Sequence, residues 1–157
     1  YHQLDRWEGK GEIPNLDYAI VDLGKVRAEF VLLEQGKFFL YSDMEIGLDD
    51  LTETEGQADD TFQNELEDRL YPVFNTLNEF LYFFSSRHYG KSVDEIFITG
   101  DCADLPHLVE LFERNMGIPT KVGFPREWKP VFGKAARKYG ECWMKYGSLY
   151  GLALREG

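Results

Sequence analysis

Two glycine turns hold the residue types from which a phosphate or nucleotide site can be built. Asp22-Leu23-Gly24 closes an apolar run. An Asp at a strand end beside a Gly turn can order a metal-bound water near a phosphate, while the N–H groups of the turn face the phosphate oxygens. Thr99-Gly100-Asp101-Cys102-Ala103-Asp104-Leu105-Pro106 reads as a strand-to-helix turn. With Pro106 near the first helical turn, the N–H groups there are placed to receive an anion or a nucleotide. The simpler reading of either glycine is a backbone position that lets two packed elements meet tightly.

Spacing decides against the other chemistries. His2, His88 and His107 are scattered and form no HxxxH or HExxH pair, so they read as surface histidines rather than metal ligands. Cys102 and Cys142 make no CxxC pair and fit reduced thiols in a cytosolic protein better than a disulfide or a structural zinc site. No Cys or Ser stands in a context that marks an activated nucleophile. The stretch from Asp43 to Asp60 carries eight Asp or Glu and no basic residue. Aligning its Gly56 with the glycine of a calcium loop puts Leu51 first and Phe62 last, so the EF-hand spacing fails and a solvated loop is expected over 43–60.

The elements that would position the turns follow from pattern. Tyr18 to Gly24, Val26 to Leu33 and Phe38 to Met44 read as three strands, the second with Val26, Ala28 and Phe30 on one face. Connections this short make an antiparallel meander, since a parallel crossover needs a dozen or more residues. Phe62, Leu66, Leu70, Val73, Phe74, Leu77, Phe80, Leu81 and Phe84 recur at helical spacing, with Asp60 or Thr61 as cap and Gly90 as stop. Pro72 is expected to kink or divide that helix near Leu70. Asp94 to Gly100 reads as a fourth strand, Leu105 to Met116 as a helix capped by Gly117, and Thr120 to Val122 as a fifth strand. Short helices over Lys134 to Tyr139 and Gly147 to Arg155 complete the order. The fourth strand should lie parallel beside the first, in a five-stranded mixed α/β sheet.

The 157 residues, 43% apolar and 15% aromatic, suit a lead-in segment over 1–16 and a single domain over 17–157. No apolar run approaches the roughly 20 residues that span a bilayer, and no secretory signal is visible in the first residues. The formal charge is −11, split into −16 over residues 1–120 and +5 over 121–157. An acidic body argues against nucleic acid as a partner. In the basic segment, Trp128, Phe132, Tyr139, Trp143 and Tyr146 interleave with Arg126, Lys129, Lys134, Arg137 and Lys138. Aromatics and Arg are enriched at binding hot spots, which makes Trp128, Arg137, Lys138 and Trp143 the candidate partner contacts. The alternative is that these rings close the core while the lysines stay wet.

Order and context say more than either turn alone. The run Ile20-Val21-Asp22-Leu23-Gly24 is followed by a hairpin ending in Glu45-Ile46-Gly47 and then a long helix. The run Ile96-Phe97-Ile98-Thr99-Gly100-Asp101-Cys102-Ala103-Asp104-Leu105-Pro106-His107-Leu108 comes after that helix, and Gly117-Ile118-Pro119-Thr120-Lys121-Val122 follows in turn. With the ending Tyr146 to Arg155, this resembles the second half of an actin-like ATPase, over residues 17 to 155. Among such proteins the chain looks most like the pilus-assembly PilM family and the cytoplasmic part of the type II secretion GspL family, with FtsA more distant. The resemblance implies a ribonuclease-H-like (actin-like) fold. It also implies a degenerate nucleotide site at Asp22, Gly24, Gly100 and Ala103. Lys25, Val26 and Arg27 replace the Gly/Ser/Thr-rich loop of the superfamily, and Asp101 stands where its adenosine-side turn has a second Gly.

The function so implied is a non-catalytic scaffold without cofactor, in a type IV pilus or type II secretion assembly. Its partners are other assembly proteins, including the cytoplasmic tail of an inner-membrane protein. Its place is the inner face of the cytoplasmic membrane, reached through partners and not by insertion. The rival reading is an ATP- and Mg-binding actin-like enzyme of which this chain is the second half.

Overall fold

A computed structural model describes residues 16–35, 37–52 and 60–123. The order is β1 (Tyr18–Leu23), β2 (Arg27–Glu34), β3 (Lys37–Glu45), α1 (Asp49–Thr52), α2 (Asp60–Arg87), β4 (Glu95–Thr99), α3 (Leu108–Met116) and β5 (Thr120–Val122). The five strands form one sheet in the order β3-β2-β1-β4-β5. β1 pairs antiparallel with β2 and β2 with β3, whereas β4 lies parallel to β1 and β5 parallel to β4. This is the expected mixed α/β sheet, with the meander at one side and the crossover strands at the other.

Alternation along the strands sends Ala19, Val21, Leu23, Ala28, Phe30, Leu32, Ile96 and Ile98 to one face, where they meet α2 and α3. α2 supplies Phe62, Leu66, Leu70, Val73, Phe74, Leu77, Leu81 and Phe84 to that core, with Phe80 partly buried. Phe74 packs edge-on against Phe112 of α3, ring centroids 5.0 Å apart, and Glu67 accepts hydrogen bonds from Arg114 and Asn115 across the same helix pair. The helix runs unbroken from Asp60 to Arg87 through Pro72, so the expected division near Leu70 does not occur. Pro72 lies on the exposed side together with Asp68, whose carbonyl loses its helical amide partner there, and the apolar stripe continues on both sides of it.

Three further expectations change. The acidic stretch is not all loop: β3 extends to Glu45, and α1 follows with Leu48 and Leu51 buried. The amides of Ile46 and Leu48 donate to the carbonyls of Val26 and Lys25 at 2.9 and 2.8 Å, so two apolar side chains and two backbone bonds hold this part down. Val26, expected to face inward with Ala28 and Phe30, is 63% exposed, because β2 begins one residue later and leaves it at the hairpin tip. The helix expected from Leu105 begins at Leu108, since His107 takes a left-handed conformation (φ 64°) that no helix continues through. Residues 53–59 and the helices expected over 134–139 and 147–155 lie outside the described residues.

At the lower edge of the sheet, a polar clamp surrounds the start of β1. The Asp17 carboxylate is almost fully buried, accepts the Gln35 amide at 2.9 Å and pairs with Lys91 at 2.8 Å. Asp17 and Asp94 exchange backbone contacts, the Asp17 amide donating to the Asp94 carboxylate and the Asp94 amide to the Asp17 carbonyl. Beside it, His88 lies flat on Phe84 with centroids 4.0 Å apart; its Nδ1 is 2.6 Å from the Phe84 carbonyl and its Nε2 2.8 Å from Glu34. His88 is thus a clamp residue, not the surface histidine expected.

The packing leads to two expectations. Phe112→Ala should cost about 3–5 kcal/mol in urea unfolding, whereas Tyr82→Ser on the exposed side of α2 should change stability by less than about 0.5 kcal/mol. The Phe84 carbonyl, then Glu34, raises the His88 pKa above its ordinary 6.5. The folded state therefore holds this proton more tightly, so its stabilisation is complete below that value and is lost as pH rises through the raised folded one. Thermal melts from about pH 5 to about pH 8 should show that loss, and His88→Gln should flatten it.

Candidate functional site

Parallel pairing brings the two glycine turns to one edge. Asp22 is opposite Thr99 in the β1–β4 register, so the chain leaves both strands at the same level of the sheet. Ligand sites of open α/β sheets form at the carboxyl ends of parallel strands. Gly100 has φ 100°, and a Cβ built on it would stand 2.5 Å from Asp22 Oδ1, 2.7 Å from the Leu23 carbonyl and 2.8 Å from the Leu23 nitrogen. The end of β1 therefore rests on the bare Cα of Gly100, a contact only glycine permits. The amide of Cys102 then donates to the Leu23 carbonyl at 2.8 Å and fastens the second turn to the first strand.

Two further backbone donors at this junction are committed inside the chain. Gly24 N–H donates to the Arg27 carbonyl at 2.9 Å, closing a hairpin whose tip is Lys25-Val26. Ala103 N–H donates to the Gly100 carbonyl at 3.2 Å, and the Ala103 side chain is buried. Asp101 and Asp104 are exposed on the same turn, and Arg27 pairs with Asp43 at 2.9 Å. Among the described residues, no group of three or more His, Cys, Asp or Glu is arranged to hold a metal ion. No described helix is long and apolar enough to cross a membrane.

Asp22, Gly24, Gly100 and Ala103 thus meet at one edge, as two hairpin-and-turn corners in contact. Pro106 lies ahead of α3, which starts at Leu108 after the left-handed His107, and so not in its first turn. Trp128, Arg137, Lys138 and Trp143 lie outside the described residues. What the residue pattern did not disclose is the part played by the Leu23 backbone, which meets both Gly100 and Cys102. Main-chain groups leave no mark in a pattern of side chains. The one hint was a glycine directly after a β-branched and apolar strand.

No family model and no curated protein sequence matches the chain. Solved structures do, and they define the class. The fold is the actin-like, ribonuclease-H-like one. A chain of the PilM–PilN type IV pilus biogenesis complex superposes with a TM-score of 0.60 at 18% identity, over 96% of this chain and 48% of that one. MreB5 of Spiroplasma citri bound to AMPPNP gives 0.56 at 11% identity, over 85% of this chain and 57% of that one. Its ADP-bound form gives 0.56 at 12%, over 84% and 57%. The chain spans about half the length of the solved chains it matches.

The Gly100 contact makes a paired prediction. Gly100→Ala should lower unfolding stability by at least about 2 kcal/mol, combining an unfavourable φ with a clash against backbone. Gly90→Ala, also at positive φ but with open space around its Cα, should cost only about 1 kcal/mol. Equal losses in chemical denaturation would show that conformation, not the approach of β1, sets the requirement at Gly100.

Proposed function

We propose that this chain belongs to a non-catalytic scaffold of a type IV pilus or type II secretion assembly, where it holds partner proteins at the cytoplasmic face of the inner membrane. The observation that carries this reading is the likeness, over nearly the whole chain, to a protein solved within a pilus biogenesis complex. The partner class it suggests is another assembly protein, in particular the cytoplasmic tail of an inner-membrane component. Arg137 and Lys138, with Trp128 and Trp143, are the residues proposed to meet it.

Nucleotide is left out of the proposal on the chemistry of the donor set. A triphosphate with magnesium needs open amides and tolerates little negative charge nearby. The amides of Gly24, Cys102 and Ala103 already have carbonyl partners within the chain. Asp101 adds an exposed carboxylate to the same turn, which repels phosphate oxygens. The residues present therefore do not fit that group, although a nucleotide-bound actin-like protein shares the fold.

Two measurements test the reading. Calorimetry of ATP with magnesium against the 157-residue chain should give a Kd no tighter than about 1 mM, a binding free energy of only about −4 kcal/mol. Micromolar binding would instead favour the second half of an ATP-dependent enzyme. Arg137→Glu with Lys138→Glu should abolish capture of a peptide matching the tail of the inner-membrane assembly protein, with Tm nearly unchanged. Undiminished capture would remove this segment as the contact.

A further inference from the structure

The outward side of α2 is made of rings rather than charges. Tyr71 and Tyr82 are 63 and 78% exposed, and Phe83 beside them is 41% exposed. Asn75 and Asn78 are exposed between the two tyrosines. Helical spacing lines Tyr71, Asn75, Asn78 and Tyr82 along one stripe, about 17 Å from end to end. The solvent side of a helix ordinarily carries charged residues. Residues 70–86 nevertheless hold a single charge, Glu79, in a chain that is 29% charged. Exposed aromatics with the charges around them depleted have the composition of an interface core.

We propose that two copies of this chain pair through this face, α2 against α2, antiparallel about a two-fold axis. The stripe is self-complementary. An axis midway between Asn75 and Asn78 sets Tyr71 opposite Tyr82 of the second copy, and Asn75 opposite Asn78 of the second copy. Symmetry makes each contact twice. The two amides at the centre can donate to and accept from each other, so closing the interface leaves them hydrogen-bonded. Charge selects the orientation. Asp60, Glu65 and Asp68 are exposed over the first turns of α2, whereas residues 80–91 carry Arg87 and Lys91 and no carboxylate. The antiparallel arrangement brings Arg87, which lies over the Phe83 ring at 4.8 Å, within one turn of Asp68 of the second copy. A parallel pair would instead set the acidic starts side by side. The face is also rigid, because eight buried side chains hold the other side of the 28-residue helix in the core. A membrane surface fits less well, since anionic headgroups repel the carboxylates that begin the helix. The inference stands apart from the scaffold reading and uses neither its proposed contact residues nor a nucleotide.

The test is sedimentation velocity of the 157-residue chain over the micromolar range, which should show a monomer–dimer equilibrium. Tyr71→Ser with Tyr82→Ser should weaken the dimer at least about tenfold, with the circular dichroism of the dilute chain unchanged. Asp68→Arg and Arg87→Asp should each weaken it as well. Combined in one chain they should restore it, a recovery that damage to the fold would not give. A monomer at every concentration would leave the stripe to a helix of another protein and overturn the proposal. So would a dimer indifferent to the tyrosine substitutions, or one that the combined charge exchange fails to recover. The scaffold reading would survive any of these outcomes, since it is tested by capture and calorimetry.

Discussion

The pairing of β1 with β4 is the contact on which the rest of the molecule depends. It joins segments more than seventy residues apart, with Tyr18 opposite Glu95 and Asp22 opposite Thr99. Because the two strands are parallel, the chain between them has to cross back over the sheet, and that return is α2. The crossing puts a continuous apolar stripe against one face and makes β1 a central strand, paired on both sides. Both ends of the pair are secured by polar contacts. Below, Asp17 and Asp94 bridge the strand starts; above, Leu23 and Cys102 bridge their ends.

The same pairing explains why the two glycine turns form a single corner. Neither turn touches the other in sequence, and each by itself is a tight bend. Register alone brings Gly100 under Asp22 and Leu23. The resulting corner is closely packed and internally hydrogen-bonded, with acidic side chains on its outer rim. The Gly100 approach and the Cys102–Leu23 hydrogen bond hold the two strand ends together there.

Much of this was legible in the residue pattern, and for identifiable reasons. The stripe from Phe62 to Phe84 has the 3.6-residue period of one helix face, and all but one of its members are buried. The short links between the first three strands left no topology but a meander. Features set by single residues or by tertiary contact were harder. Pro72 breaks a helix only where its neighbours cannot compensate, and here buried side chains on either side override it. Leu48 and Leu51 were masked by the carboxylates around them, although they are three residues apart and both reach the core. His107 gave no hint of its left-handed backbone. At the site, the meeting of Asp22 with Gly100 followed from the expected parallel register, but the engagement of the amides did not, since hydrogen-bond partners depend on coordinates.

The sheet order also governs how the chain must assemble as it is synthesised. The meander over residues 18–45 contains only local pairings and can form as soon as it emerges. One edge of β1 then has no strand beside it until β4 is made, about fifty residues later, which at usual rates of synthesis is roughly 3–10 s. An apolar strand edge left open for that long is prone to pair with another chain. The residues that emerge during the wait begin with the six remaining carboxylates of the acidic stretch and continue through the whole of α2. Their like charge repels neighbouring nascent chains at the stage when the central strand is least protected.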